Sequence, residues 1–314
     1  MNRERLSGAP ARPLASVSFG LLVLLAAPAG RAQDLEPQAY ANAPVGVNIL
    51  VVDLSHADGE IATDTSLPID DAELATRSAV LGYVRTLGIF GRGGKLSVVL
   101  PYVSLSGSAR VAGEERDRSV TGLGDPRVRL AVNLYGGPAL SPAGFAGYQQ
   151  DLVIGASLRV TAPLGQYDSD RAVNIGTNRW SFKPELGVSK TWWRGRVTTE
   201  LAGGAAFHTD NRDFLGATRE QDPLYSLQAH VVYRFPRGSW VALDGTYYTG
   251  GRTRVDGRSG DDRQGNSRAG VTFSLPITRR QSIKLHASTG ISARTGGDFD
   301  LLGIAWQLQW GPDL

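Results

Sequence analysis

Along most of the chain, apolar residues recur at every second position in stretches bounded by Gly, Pro, Asp and Asn. A period of two is the strand signal, and about ten alternating residues is the length of a membrane-crossing strand. The clearest case is Leu301 to Trp310. Leu302, Ile304, Trp306, Leu308 and Trp310 fall on one face, and Gly303, Ala305, Gln307 and Gln309 on the other. A strand with one face in water would carry Lys, Glu or Asp there. This polar face is small or amide-bearing, as a barrel interior would be. Tyr225, Leu227, Ala229, Val231, Tyr233 and Phe235 oppose Ser226, Gln228, His230, Val232 and Arg234 in the same way. The segments near 45–54 and 78–89 alternate poorly.

Twelve strands are predicted, near 45–54, 78–89, 95–106, 125–135, 151–162, 180–192, 196–207, 224–235, 239–249, 268–277, 282–293 and 300–310. Long connections over 55–77, 107–124, 163–179, 208–223 and 250–267 alternate with short ones such as Gly91–Gly94 and Pro236–Gly238. This is the plan of an all-β, transmembrane, antiparallel up-and-down β-barrel, with long outer loops and short periplasmic turns. Closing the sheet satisfies every backbone group in lipid, which an open sheet could not do. Connections 136–150 and 294–299 depart from the alternation.

Aromatic residues fall at the expected strand ends. Tyr135, Trp192, Trp193, Phe235, Trp240 and Trp310 mark the periplasmic ends; Tyr102, Trp180, Phe207, Tyr225 and Tyr247 mark the outer ends. Two girdles at the membrane interfaces follow, because amphipathic rings favour the headgroup level.

The N-terminus has a different pattern. Arg3, Arg5 and Arg12 precede an apolar run from Phe19 to Gly30, and Gly30 and Ala32 suit the −3 and −1 positions of a cleavage site. Residues 1–32 therefore read as a secretory signal peptide, 33–44 as a short periplasmic segment and 45–314 as the barrel. This changes the meaning of the charge. The full chain is +3 with a pI near 9.2. Removing Arg3, Arg5, Arg12, Arg31 and Glu4 with the signal peptide brings it to 0, and a nucleic-acid partner loses its support. Zero cysteine excludes a disulfide framework, a thiolate zinc site and a catalytic thiol.

Several stretches resemble the meta-pathway phenol-degradation family of Gram-negative outer-membrane proteins. They are Gly122–Pro126 (GLGDP), Ala162–Gly187, Asp222–His230, Tyr247–Gly257 and the Ser274–Pro276 region. The resemblance implies a transporter-like outer-membrane barrel linked to the catabolism of aromatic compounds.

Candidate chemistry concentrates on the inner face. Strand parity places Arg127, Arg129, Arg159, Lys183, Arg234, Arg268 and Lys284 inside, along with Glu185, Glu200 and Asp244. The histidines His230 and His286 join them. One reading is a wall of paired charges that braces the barrel and leaves no useful pore. The other is a polar pore with a mildly positive field that favours carboxylates or phenolates. Enzymatic chemistry is not expected. The four histidines lack metal-ligand spacing, and Ser226 with His230 would face the lumen, away from any lipid substrate. No metal or cofactor is predicted. The expected partners are outer-membrane lipids and lipopolysaccharide, the barrel-assembly machinery and a small-molecule solute. The expected function is a channel for passive uptake of small organic molecules, with aromatic or phenolic catabolites as the leading class. A non-conducting structural or adhesive barrel acting through its outer loops is the alternative.

Overall fold

The computed structural model describes residues 36–62, 69–111 and 114–311; the predicted signal peptide and Asp64 of the first outer loop lie outside these ranges. The strands are β1 (Asn48–Ala62), β2 (Ile69–Ile89), β3 (Arg92–Val111), β4 (Glu114–Leu123), β5 (Arg127–Tyr135), β6 (Leu152–Thr161), β7 (Ser181–Trp192) and β8 (Val197–His208). They continue with β9 (Asn211–Phe214), β10 (Ala217–Gln221), β11 (Leu224–Arg234), β12 (Trp240–Gly250), β13 (Thr253–Val255) and β14 (Arg258–Ser259). The last three are β15 (Gln264–Pro276), β16 (Gln281–Ser292) and β17 (Gly296–Trp310).

The main sheet is antiparallel and closes on itself. β1 pairs with both β2 and β17, and each later wall strand pairs with its neighbours around the ring. β3 pairs with β5 along Gly94–Val99 and with β4 along Tyr102–Val111. β4 and β5 therefore form one interrupted wall strand, and the barrel has 12 strands. The interruption is Gly124-Asp125-Pro126, where Pro126 has no N–H to offer a ladder. The short strands β14-β13-β10-β9 form a second sheet from the two long connections after β8 and β12.

The barrel is inside-out relative to a soluble protein. Leu186, Leu201, Leu243, Leu302 and Ile304 are exposed on the outer face. Ser189, Thr198, Gln228, His230, Asp244 and Thr272 are buried on the inner face. The polarity then reverses along single strands. On β3 the outward residues run Leu96, Val98, Leu100, Tyr102 and then Ser104 and Ser106. The inward residues run Lys95, Ser97 and then Val103, Leu105 and Ala109, of which the last three are buried. The side-chain parity is unchanged, but the solvent outside the barrel changes from lipid to water beyond Tyr102.

This reversal explains where the predicted boundaries depart from the structure. β1–β4 run well past the expected ends, so most of 55–77 and 107–124 is strand. Those stretches carry polar residues on the outward face, where a lipid-facing pattern predicts apolar ones. The other wall strands begin and end within a few residues of expectation.

Candidate functional site in the barrel lumen

The inner wall carries a connected set of charges. Glu200, His230 and Asp244 are successive cross-strand neighbours on β8, β11 and β12. His230 Nδ1 lies 2.7 Å from Asp244 Oδ1, and Thr272 donates to Asp244 Oδ2 at 2.9 Å. On β7, Glu185 accepts from Arg129 of β5 at 3.0 Å and from Gln228 of β11 at 3.3 Å, and lies 3.5 Å from Lys183 Nζ. His286 Nε2 reaches over β17 to Asp53 Oδ2 at 2.7 Å. It can do so because Gly303 stands between them; a Cβ there would overlap the imidazole, with Cδ2 only 3.1 Å away. Arg268 donates to Ser288 at 3.1 Å and to the Phe299 carbonyl at 2.8 Å. Buried charges of this kind are tolerable only with such partners.

Residues 36–46 run inside the lumen; the sequence reading places those up to 44 in a periplasmic segment and 45–46 at the start of the first strand. Glu36 accepts from Arg129 at 2.6 Å and lies 3.7 Å from Arg159. The Gln38 N–H donates to Glu200 at 2.5 Å, and Arg234 donates to the Gln38 side chain. Lys95 Nζ donates to the carbonyls of Gln38 and Ala39 at 3.4 and 3.1 Å. Asn42 bonds to Gln150, Pro138 and Asn133. Near β1, Thr86 Oγ1 donates to the Pro44 carbonyl at 2.6 Å and accepts from the Val47 N–H at 2.8 Å.

Tyr40 anchors this segment, with 3% of its surface exposed. Its ring lies in a recess made by a row of small wall residues. Gly155 faces Gly187 across β6 and β7, and Gly187 faces Ala202 across β7 and β8. A Cβ on Gly187 would overlap the ring, with Cζ still only 2.9 Å away; a Cβ on Gly155 would do the same, with Cε1 at 2.9 Å. The phenol donates to Glu185 Oε1 at 2.9 Å and lies 3.2 Å from Ser157 Oγ. The Arg129 guanidinium covers the ring, with Cζ 5.4 Å from its centroid. Arg129 is itself held by Ser157 at 3.0 Å.

The opposite mouth is narrowed by the connection 162–180. Ile175 is buried with Leu74, Val103, Leu105 and Ala109 of the inner wall. Asp125, at the break between β4 and β5, accepts from Gly165 N–H, Thr177 N–H and Thr177 Oγ1 at 2.7–2.9 Å. The β9–β10 hairpin packs on this connection, where Asn211 donates to Tyr167 Oη at 2.8 Å and Tyr167 donates to the Asp213 carbonyl at 2.8 Å. Burial pushes the Tyr167 phenol up and the Arg219 guanidinium down from their usual values.

The charged residues assigned inward by parity thus include several that meet around one segment: Arg129, Arg159, Glu185, Glu200 and Arg234. Arg127 lies half-buried at the start of β5, and Lys284 sits with its Nζ 5.5 Å from the centroid of the Trp240 ring. That contact corrects one assignment. Trp240 shares the parity of buried Ala242 and Asp244, so it faces the lumen and not the lipid. Tyr102, Tyr135, Trp180, Trp192, Trp193, Phe207, Tyr225, Phe235, Tyr247 and Trp310 are all exposed. Sequence reasoning missed Glu36, Gln38, Tyr40, Asp53 and Lys95. The first three lie before any strand pattern begins, and Asp53 lies where alternation is weak. Ser226 and His230 do share the inner face, but four residues along one strand separates them by about 13 Å, too far for a nucleophile and its base. Among the described residues, no group of three or more His, Asp or Glu gathers to hold a metal ion.

Residues 59–308 match the family model described as "Putative MetA-pathway of phenol degradation". The chain belongs to this family. GLGDP, APLG and NIGT, which lie in stretches that resemble it, meet at Asp125: Gly165 and Thr177 are both bonded to that carboxylate. Among solved structures, the COG4313 outer membrane channel from Pseudomonas putida F1 is similar at 25% identity and a TM-score of 0.75, over 88% of this chain and 100% of that one. The beta domain of the Bordetella autotransporter BrkA (11% identity, TM-score 0.50, 84% of this chain and 99% of that one) shares the fold alone. So does the transport unit of the autotransporter AIDA-I from Escherichia coli (8% identity, TM-score 0.50, 90% and 94%). No curated protein matches the chain. This member of the phenol-degradation family is an outer-membrane β-barrel.

Proposed function

We propose that the protein is a passive outer-membrane channel for small organic molecules, with the lumen as its path and residues 36–46 as a removable obstruction. The observation that carries this is the way the segment is held. Its contacts are ion pairs, polar bonds and one aromatic ring in a recess, on a wall that stays polar and closed beneath it. Similarity to a protein described as an outer membrane channel supports the same reading. Arg129, Arg159, Lys95, Lys183 and Arg234 line the stretch the segment occupies, so withdrawal of Glu36 leaves a more positive field there. That field favours organic anions such as aromatic carboxylates, and the family supports aromatic or phenolic catabolites as the class.

Liposomes carrying the full-length protein should swell at solute-dependent rates. In planar bilayers, R129Q/R159Q should reduce the preference for anions over cations. Unchanged selectivity would remove both arginines from the path. The second reading, a closed structural or adhesive barrel, rests on the 162–180 connection and the β9–β10 hairpin that narrow the outer mouth. It predicts no solute-dependent swelling under any condition.

A further inference from the structure

The Tyr40 recess has more chemistry than an anchor requires. Its floor is bare backbone at Gly155 and Gly187, flanked by Ala202, so a flat ring can lie directly on the sheet. Its lid is the Arg129 guanidinium, which suits the electron-rich face of an aromatic ring. Its far end is Glu185 and Ser157, which receive a hydroxyl from the ring. Backbone below, cation above and a carboxylate at the end together define one ligand shape: a single ring with a hydroxyl group. The p-hydroxybenzyl side chain of Tyr40 fills it almost completely. That side chain is p-cresol joined to the backbone.

We propose that the Gly155–Gly187–Ala202 recess beneath Arg129 is a phenol-binding subsite, in which Tyr40 is an internal ligand that an entering phenol displaces. The inference deepens the channel reading and rests on it only for the consequence of displacement, which is opening. A phenol that takes the recess removes the one aromatic anchor of residues 36–46. Of the remaining contacts, Glu36 on Arg129 and Gln38 on Glu200 lie nearest that anchor in the chain and loosen with it, while Asn42, Pro44, Val45 and Gly46 keep their bonds to the barrel. Selection for a hydroxyl follows from the partners. A ring without one leaves a bond to a charged acceptor unmade, a loss of about tenfold to a hundredfold in affinity. Tyr40 is tethered, so its effective concentration at the recess is of millimolar order or higher, and a free phenol has to compete with it.

The chain has no cysteine, which permits a clean reporter. In the A41C variant of the full-length protein, reaction with a membrane-impermeant maleimide reads exposure of the segment. p-Cresol should accelerate that reaction in proteoliposomes, and toluene at the same free concentration should not. Equal effects of the two, or none from either, would overturn the proposal. In Y40A the tethered competitor is gone, so equilibrium binding of p-cresol should tighten by about tenfold or more. G187A, which fills the recess, should bind no p-cresol at the site while keeping the heat-modifiable gel mobility of a folded barrel. If G187A fails to fold, E185Q replaces it and should bind p-cresol at least fivefold more weakly than Y40A when combined with that change; unchanged binding would overturn the proposal. Liposome swelling separates the two readings. If Y40A conducts solute but binds no p-cresol, the subsite is wrong and the channel stands. If p-cresol binds and exposes A41C but no variant swells, the subsite stands and the channel is wrong.

Discussion

Gly187→Ala is the sharpest perturbation of the lumen. It adds one methyl to the barrel wall and removes no polar contact. The new Cβ would overlap the nearest atoms of the Tyr40 ring, and Cζ would be 2.9 Å from it. Carbon atoms in contact sit about 3.5–4.0 Å apart, so the ring has to move by more than an ångström. It cannot move upward, because Arg129 covers it and is fixed by Glu185 at 3.0 Å, Ser157 at 3.0 Å and Glu36 at 2.6 Å. It cannot move along the recess without losing the 2.9 Å bond to Glu185. Tyr40 therefore leaves. The segment loses burial of an aromatic ring, about 1.5–3 kcal/mol, and a hydrogen bond to a charged acceptor, about 1.5–3 kcal/mol. The combined effect is about 3–5 kcal/mol on the occluded state, after allowing for overlap between the two effects. At 1.4 kcal/mol per tenfold, the ratio of open to occluded channels should rise by a factor of about 100 to 4,000.

The assay is single-channel recording in planar bilayers, with cold and heated gel mobility to establish that the barrel has formed. G155A should act in the same direction, since its Cβ would meet the other edge of the ring. G203A is the control: on β8, its Cβ would meet nothing nearer than the Ser226 carbonyl at 4.0 Å. A folded G187A barrel with the open probability of the parent protein would refute both the clamp and the role assigned to Tyr40.

Three further outcomes follow from the same geometry. E36Q removes the ion pairs to Arg129 and Arg159, but Glu36 is half exposed, so the effect should be only about 0.5–1.5 kcal/mol and the open probability should rise about two- to tenfold, less than in G187A. D125A leaves the N–H groups of Gly165 and Thr177 without their acceptor, and limited proteolysis within 163–179 should quicken by about tenfold or more while the barrel stays folded. G303A drives a methyl into the His286 ring and separates it from Asp53, so the temperature at which the gel mobility shifts should fall, whereas G203A should leave it unchanged.

The wall of this barrel was readable because lipid imposes a simple rule on it. Each strand with lipid on one side and the lumen on the other shows period-two alternation, and β6, β7, β11 and β17 were placed within two residues or fewer in most cases, with β17 starting four residues earlier than expected. Where the outside becomes water, the rule reverses, and the outer halves of β1–β4 looked like loops. The inward charges followed from parity for the same reason the strands did. Trp240 departs from the girdle expected of strand-end aromatics because its own parity, shared with Asp244, points inward. The segment 36–46 was invisible to pattern reading. It has no strand period, and its fit depends on Gly155, Gly187 and Ala202 from three strands being adjacent in space. Nothing local to Glu36, Gln38 or Tyr40 encodes that adjacency.

The two ends of the lumen are narrowed by different kinds of contact, and the difference bears on which constriction can move. The outer connection is joined to the wall through a buried apolar cluster, Leu74, Val103, Leu105, Ala109 and Ile175, and through three bonds to one buried carboxylate. Moving it would expose apolar surface and orphan backbone donors together, which costs free energy twice over. In the segment 36–46 Tyr40 and Asn42 are buried, and Tyr40 makes its apolar contact, with Ala39, Val153 and Ala202 around it. The other bonds of residues 36–40 are to Arg129, Arg159, Glu200, Arg234 and Lys95, side chains that water can satisfy once that stretch is gone, whereas Asn42, Pro44, Val45 and Gly46 are tied to the barrel at Pro138, Thr86 and Leu140. Exchange of partners, in place of outright loss, makes withdrawal of residues 36–40 the less costly motion. The proposed gate therefore lies at the short-turn end, with the recess that holds Tyr40 setting its threshold.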